Sequence, residues 1–135
     1  MSDEAAQFAA IKALIPSLEV YDYGRVPGLK NVSGQINPGH APTRYVLLSI
    51  ERRYVPQEGT RAGRTQRIGY RAALRICAKT PSECRAAAKA VSTALDGAAL
   101  TVAGAKSTPL HHDSSASPEA DDGYYAALHQ WTYAL

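Results

Sequence analysis

His111, His112, Asp113 and His129 are the residues whose types best suit chemistry in this sequence. Imidazoles and a carboxylate are metal ligands when they converge. Adjacent histidines on an extended strand point to opposite faces, so one of His111 and His112 at most can join His129. That leaves too few ligands, and no metal is expected. Asp121 and Asp122 precede Gly123, where they read as turn formers and not as a carboxylate pair for acid–base work. No Ser or Cys has a His and an acid placed around it for nucleophilic catalysis. The run Gly59-Thr60-Arg61-Ala62-Gly63-Arg64 lacks the Lys-Ser/Thr ending of a phosphate-binding loop and leads into a strand. Cys77 and Cys84 fit no zinc spacing and read as reduced thiols used for packing. The sequence therefore predicts neither an enzyme nor a cofactor.

The basic residues are the stronger signal. Arg61, Arg64, Arg67, Arg71, Arg75 and Lys79 fall along one connection and one strand face. Clustered guanidinium groups suit phosphates. They suit equally a solvated face, or a neighbour's acidic residues. Aromatic residues for base stacking do not alternate with them, which weakens a single-stranded nucleic-acid role. The net charge of +3 is mild.

The element that must carry this face runs from Gln66 to Leu95. Ile68, Tyr70, Ala72, Leu74, Ile76 and Ala78 alternate with Arg71, Ala73, Arg75, Cys77 and Lys79, the pattern of a strand with one dry and one basic face. Thr80-Pro81-Ser82-Glu83 then supplies an N-cap, a proline at the first helical position and a capping-box acid. The helix that follows places Cys84, Ala87, Ala88, Val91 and Leu95 on one stripe and ends at Asp96-Gly97.

Around that unit the chain reads in order. Asp3 to Ile15 is an amphipathic helix with Phe8, Ile11, Leu14 and Ile15 on its apolar stripe, stopped by Pro16. Leu18 to Tyr23 is a short extended segment. Val26 to Thr43 is rich in Pro, Gly, Asn and Ser, a long connection of the functional or mobile kind. Arg44 to Val55 is a strand with Val46, Leu48 and Ile50 on one face. Gln57 to Thr65 joins it to the Gln66 strand as an extended hairpin with a mobile tip. Leu100 to Ala103 is briefly extended, Lys106 to His112 forms a further strand, and Asp113 to Gly123 is a polar loop. Tyr124 to Tyr133 is the final strand, an alternation of aromatic and small residues.

These elements predict an α+β fold, with a mainly antiparallel sheet, two helices packed on one face, and the order helix-strand-strand-helix-strand-strand. The 135 residues read as one domain, 1–135, with mobile loops near 27–43, 56–65 and 113–123. The expected core includes Ile11, Leu48, Leu74, Ile76, Val91, Leu95 and Trp131. No apolar run reaches the roughly 20 residues that span a bilayer, and Ser2-Asp3-Glu4 is acidic where a signal peptide is basic. No membrane partner is expected, and the cytosol is the expected compartment.

Taken together, the pieces resemble the tail terminator proteins of long-tailed bacteriophages, particularly those of actinobacterial hosts. The resemblance lies in order and spacing along nearly the whole chain. A short N-terminal helix leads into Val26-Pro27-Gly28 and Pro42-Thr43-Arg44-Tyr45-Val46, followed by a strand and a Gly/Arg-rich tip. Next comes the strand–Thr80-Pro81-Ser82-Glu83-Cys84–helix unit. Pro109-Leu110-His111-His112-Asp113, Asp121-Asp122-Gly123 and an aromatic strand to Leu135 close the chain. The resemblance implies a virion protein, assembled in the host cytoplasm, that forms a homo-oligomeric ring, a hexamer. The ring would cap the head-proximal end of the tail tube, contact the tube protein and a head-closure or connector protein, and pass double-stranded DNA through its lumen. On that reading Arg61, Arg64, Arg67 and Arg71 are the first candidates for subunit or tube contacts. Another neck or head-closure component, or a small basic nucleic-acid-binding domain, are the alternatives.

Overall fold

The computed structural model describes residues 4–22, 44–52, 68–121 and 124–135. Two helices and a mostly antiparallel mixed sheet make an α+β fold. Helix α1 spans Glu4–Leu14, with Glu4 at the positive end of its dipole. Strand β1, Val20–Asp22, pairs parallel with β2, Arg44–Arg52. Strand β3, Gly69–Ala78, pairs antiparallel with β2 and, on its other side, with β8, Tyr124–Ala134. Helix α2, Pro81–Leu95, connects β3 to a small hairpin, β4 (Thr101–Val102) and β5 (Ala105–Lys106). The hairpin turns on Ala103 and Gly104, both with positive φ, the backbone that a two-residue loop between twisted strands requires. Strands β6, His111–Ser115, and β7, Glu119–Asp121, both pair with β8, so the main sheet runs β1-β2-β3-β8-β6 with β7 also on β8.

The strand–helix unit behaves as its residues require. Thr80 is extended, and its hydroxyl accepts from the Glu83 amide at 3.1 Å. At the other end the Asp96 amide donates to the Ser92 carbonyl. Gly97 then turns with φ +77 and donates its amide to Leu110. The α2 stripe of Ala87, Ala88, Val91 and Leu95 packs with Ile11 of α1 on Val46, Leu48, Leu74, Ile76 and Trp131 of the sheet. Each fully buried Val or Leu there contributes about 1.5–3 kcal/mol. Cys84 of α2 sits in an adjoining cluster with Ala78 and Ala127.

The structure departs from the sequence reading in three places. The six-element order is too sparse, because β1, the β4–β5 hairpin and β7 add strands to it. The polar stretch 113–123, read as a loop, is largely strand: 111–115 and 119–121 extend along β8, with an irregularity between His112 and Ser114. Polarity misled here because this stretch forms the sheet's outer margin, where side chains stay wet and the backbone ladder alone sets the conformation. Third, the face of β3 that carries Arg71 and Arg75 is not simply basic. It holds a second apolar cluster of Tyr45, Leu47, Cys77, Tyr124 and Ala126, on the side of the sheet away from the helices. The two loops read near 27–43 and 56–65 fall wholly outside the described residues.

Candidate functional site

Three constellations on this scaffold join polar side chains from different elements. The first crosses the helix-free face. Arg71 on β3 reaches over β8 to Asp113 in β6, 3.6 Å away, both side chains being more than a third exposed. At that exposure the pair is worth little to stability. Lys79 lies over the Tyr124 ring at 4.1 Å, and Tyr45 meets Tyr124 edge-on at 5.3 Å. The basic stripe is thus interrupted by aromatic contacts at one end and an ion pair at the other. Of the four arginines read as interface candidates, only Arg71 is among the described residues; Arg61, Arg64 and Arg67 lie outside them.

The second constellation stacks histidines on tryptophan beneath α2. His112 and His129 approach to 5.7 Å between ring centroids, and His129 stacks on Trp131 at 5.9 Å. His111 pairs with Thr132, one residue out of phase, and is exposed. His129 Nδ1 and His112 Nε2 are buried without a hydrogen-bond partner. Burial first, and then the neighbouring His112, pushes the His129 imidazole below its ordinary pKa, so the neutral form is favoured. Among the described residues no three His, Cys, Asp or Glu side chains converge as a metal site would need. Cys77 and Cys84 are both buried and share no disulfide, and the Cys84 thiol, which donates to the Ile76 carbonyl at 3.3 Å, is pushed up by burial. Neither is placed as a nucleophile.

The third is a cleft of about 450 Å³ between α2 and the junction of β6 and β7. Arg85, Lys89 and Ser92 line it from the helix, and Ser115, Ser117 and His129 from the sheet side. Among the described residues no carboxylate lines it. Sequence reasoning passed over this cleft. The available signal was Arg85 and Lys89 four apart on the polar face of α2, one turn apart on one side, with no acid at matching spacing to pair them. No local pattern indicates that a β6–β7 margin stands opposite.

The core candidates Ile11, Leu48, Leu74, Ile76, Val91, Leu95 and Trp131 all lie in the main cluster and are inaccessible to solvent. They back the cleft and the histidine stack, which Trp131 joins with its ring. No described helix is long and apolar enough to cross a membrane.

Comparison with known proteins gives a consistent picture. Residues 5–133 match the model of the family described as tail completion protein gp17. A chain from the virion of a native gene transfer agent particle shares the fold with a TM-score of 0.59 at 18% identity, covering 98% of this chain and 92% of its own. A second solved chain matches with a TM-score of 0.56 at 14% identity, covering 97% and 88%. No curated protein matches at a significant level.

Proposed function

The chain belongs to the family of gp17 tail completion proteins, and from that membership we propose that it caps the head-proximal end of a phage tail tube as a homo-oligomeric ring. The observation that carries this reading is the family match along residues 5–133, almost the whole chain. The kinship in fold with a chain of a gene transfer agent virion supports a place in a particle. On this reading the protein is a structural component of the tail and neck and not an enzyme. Its partners are further copies of itself, most simply six, the tail tube protein below and a head-closure or connector protein above. Double-stranded DNA passes through the lumen without being a ligand of any one site.

Heterologous contacts that close into a ring are self-limiting, which is the physical requirement for a part that must stop a polymer. Arg71, on the open face of the sheet, is the described member of the arginine set proposed for subunit or tube contacts. Arg61, Arg64 and Arg67 are proposed with it from sequence alone.

Deletion of the gene from its phage, followed by negative-stain electron microscopy, tests the reading. Overlong tails separated from filled heads are expected. Leaking heads without tail defects would move the role to head closure, and normal infectious virions would overturn it.

A further inference from the structure

The sheet ends in two unlike margins. β1 forms one edge and β6 the other, and among the described residues no strand pairs with the outer side of either. From Pro16 to Asp22 the only charged residues are Glu19 and Asp22, both exposed. Burial, and then a hydrogen bond with Glu19, raise the Tyr21 phenol pKa, so Glu19 keeps to the Tyr21 face of the sheet, away from the helices, and Asp22 alone is on the helix side. The opposite margin carries the cleft with Arg85 and Lys89, neither of which forms an ion pair among the described residues. The carboxylates of the β6–β7 margin, Asp113 beside Arg71 and Glu119 level with Ala126, belong to the helix-free face, so on the helix side that margin presents the two cations of α2.

Their heights and faces match. Asp22 lies opposite Leu48, Leu48 opposite Leu74, Leu74 opposite His129, and His129 opposite Ser115. Residues in one cross-strand row share a face, so Asp22 and the cleft-lining His129 lie level on the helix side of the sheet. Strand directions match as well. β1 and β2 run together, β3 opposes them, β8 opposes β3, and β6 opposes β8. A copy placed alongside by a simple lateral step presents its β1 antiparallel to β6 of the first, the better of the two pairings.

We propose that β6 and the adjoining cleft of one copy receive the β1 edge of a second copy, with Asp22 of the incoming edge set against Arg85 and Lys89. This rests on the ring reading above and identifies its subunit junction. The two patches are different and lie at opposite margins, so the contact is heterologous and each copy can both give and receive. A duplex ligand for the same cleft is disfavoured by the acidic edge, which would repel phosphate wherever the copies sit side by side.

The test uses the full chain in sedimentation velocity across a range of protein and salt concentrations. One variant combines Arg85→Glu with Lys89→Glu, and the other is Asp22→Lys. Each alone should weaken association by at least about tenfold. An equimolar mixture of the two should reassemble, because every junction between unlike copies again joins opposite charges. The milder pair Arg85→Gln with Lys89→Gln, and Asp22→Asn, serve if a reversal fails to fold. Wild-type rings that none of these changes weakens would overturn the junction while leaving the ring reading intact. A wild-type chain that stays monomeric at every concentration would overturn the ring reading and the junction with it. Loss of DNA binding in the Arg85→Glu, Lys89→Glu variant with assembly unchanged would reassign the cleft to nucleic acid.

Discussion

The indole N–H of Trp131, in the centre of the last strand, donates to the Asp96 carboxylate at 2.6 Å. The two residues are 35 apart in sequence. Trp131 is wholly buried, and Asp96 is the residue that ends α2. This bond ties the helix terminus to the sheet at the place where His129 stacks on the same indole. It also lets the largest core side chain be buried with its one polar atom satisfied.

Asp96→Ala removes the acceptor and leaves a buried donor unpaired. A loss of about 1–3 kcal/mol is expected in urea unfolding, with Asp96→Asn recovering most of it because its amide oxygen can still accept. Equal loss in both variants would show that the bond contributes little.

Gln7 and Tyr133 form a similar pair across the core. The Tyr133 hydroxyl donates to Gln7 Oε1 at 2.6 Å, both residues are buried, and burial raises the phenol far above its ordinary pKa. Tyr133→Phe should cost about 1–3 kcal/mol by stranding the amide oxygen. Adding Gln7→Leu should restore much of that loss, since Gln7 Nε2 is already unpaired. A double-mutant cycle measures the coupling.

Thr80→Ala should destabilise the protein by about 1 kcal/mol, because the Glu83 amide loses its acceptor, while Thr80→Ser or Thr80→Asp should be close to neutral. Thermal unfolding of the three variants distinguishes capping from a side-chain packing effect, which Ser and Asp would not rescue.

His129 makes stability depend on pH in a definite direction. Its folded pKa lies below the ordinary 6.5, so near and below that value the unfolded chain binds more protons than the folded one. The contribution is therefore complete above about pH 6.5 and is lost as pH falls toward the folded pKa. The midpoint of unfolding should drop between neutral and mildly acidic pH, and His129→Gln should flatten that drop. An unchanged profile in the variant would place the titration elsewhere.

Local pattern was enough for the elements whose burial is periodic. Alternation along β3 sorts Leu74 and Ile76 onto the helix side, and Thr80-Pro81-Ser82-Glu83 marks the start of α2 within the chain's own chemistry. The same sequence predicted an α+β architecture with a mainly antiparallel sheet. Only the tertiary structure decided the rest. Backbone pairing turned the polar run after His111 into a sheet margin, since a ladder with β8 satisfies its amides whatever its side chains are. Gln7 sits where its helix stripe gave no polar expectation, because its partner Tyr133 comes from the far end of the chain. The cleft is likewise made by distance in sequence: Arg85 and Lys89 meet Ser115 and His129 only once β8 is laid beside β3. Side-chain periodicity reports what an element buries. It does not report which element lies across from it, and that juxtaposition is what forms the cleft beside this sheet's margin.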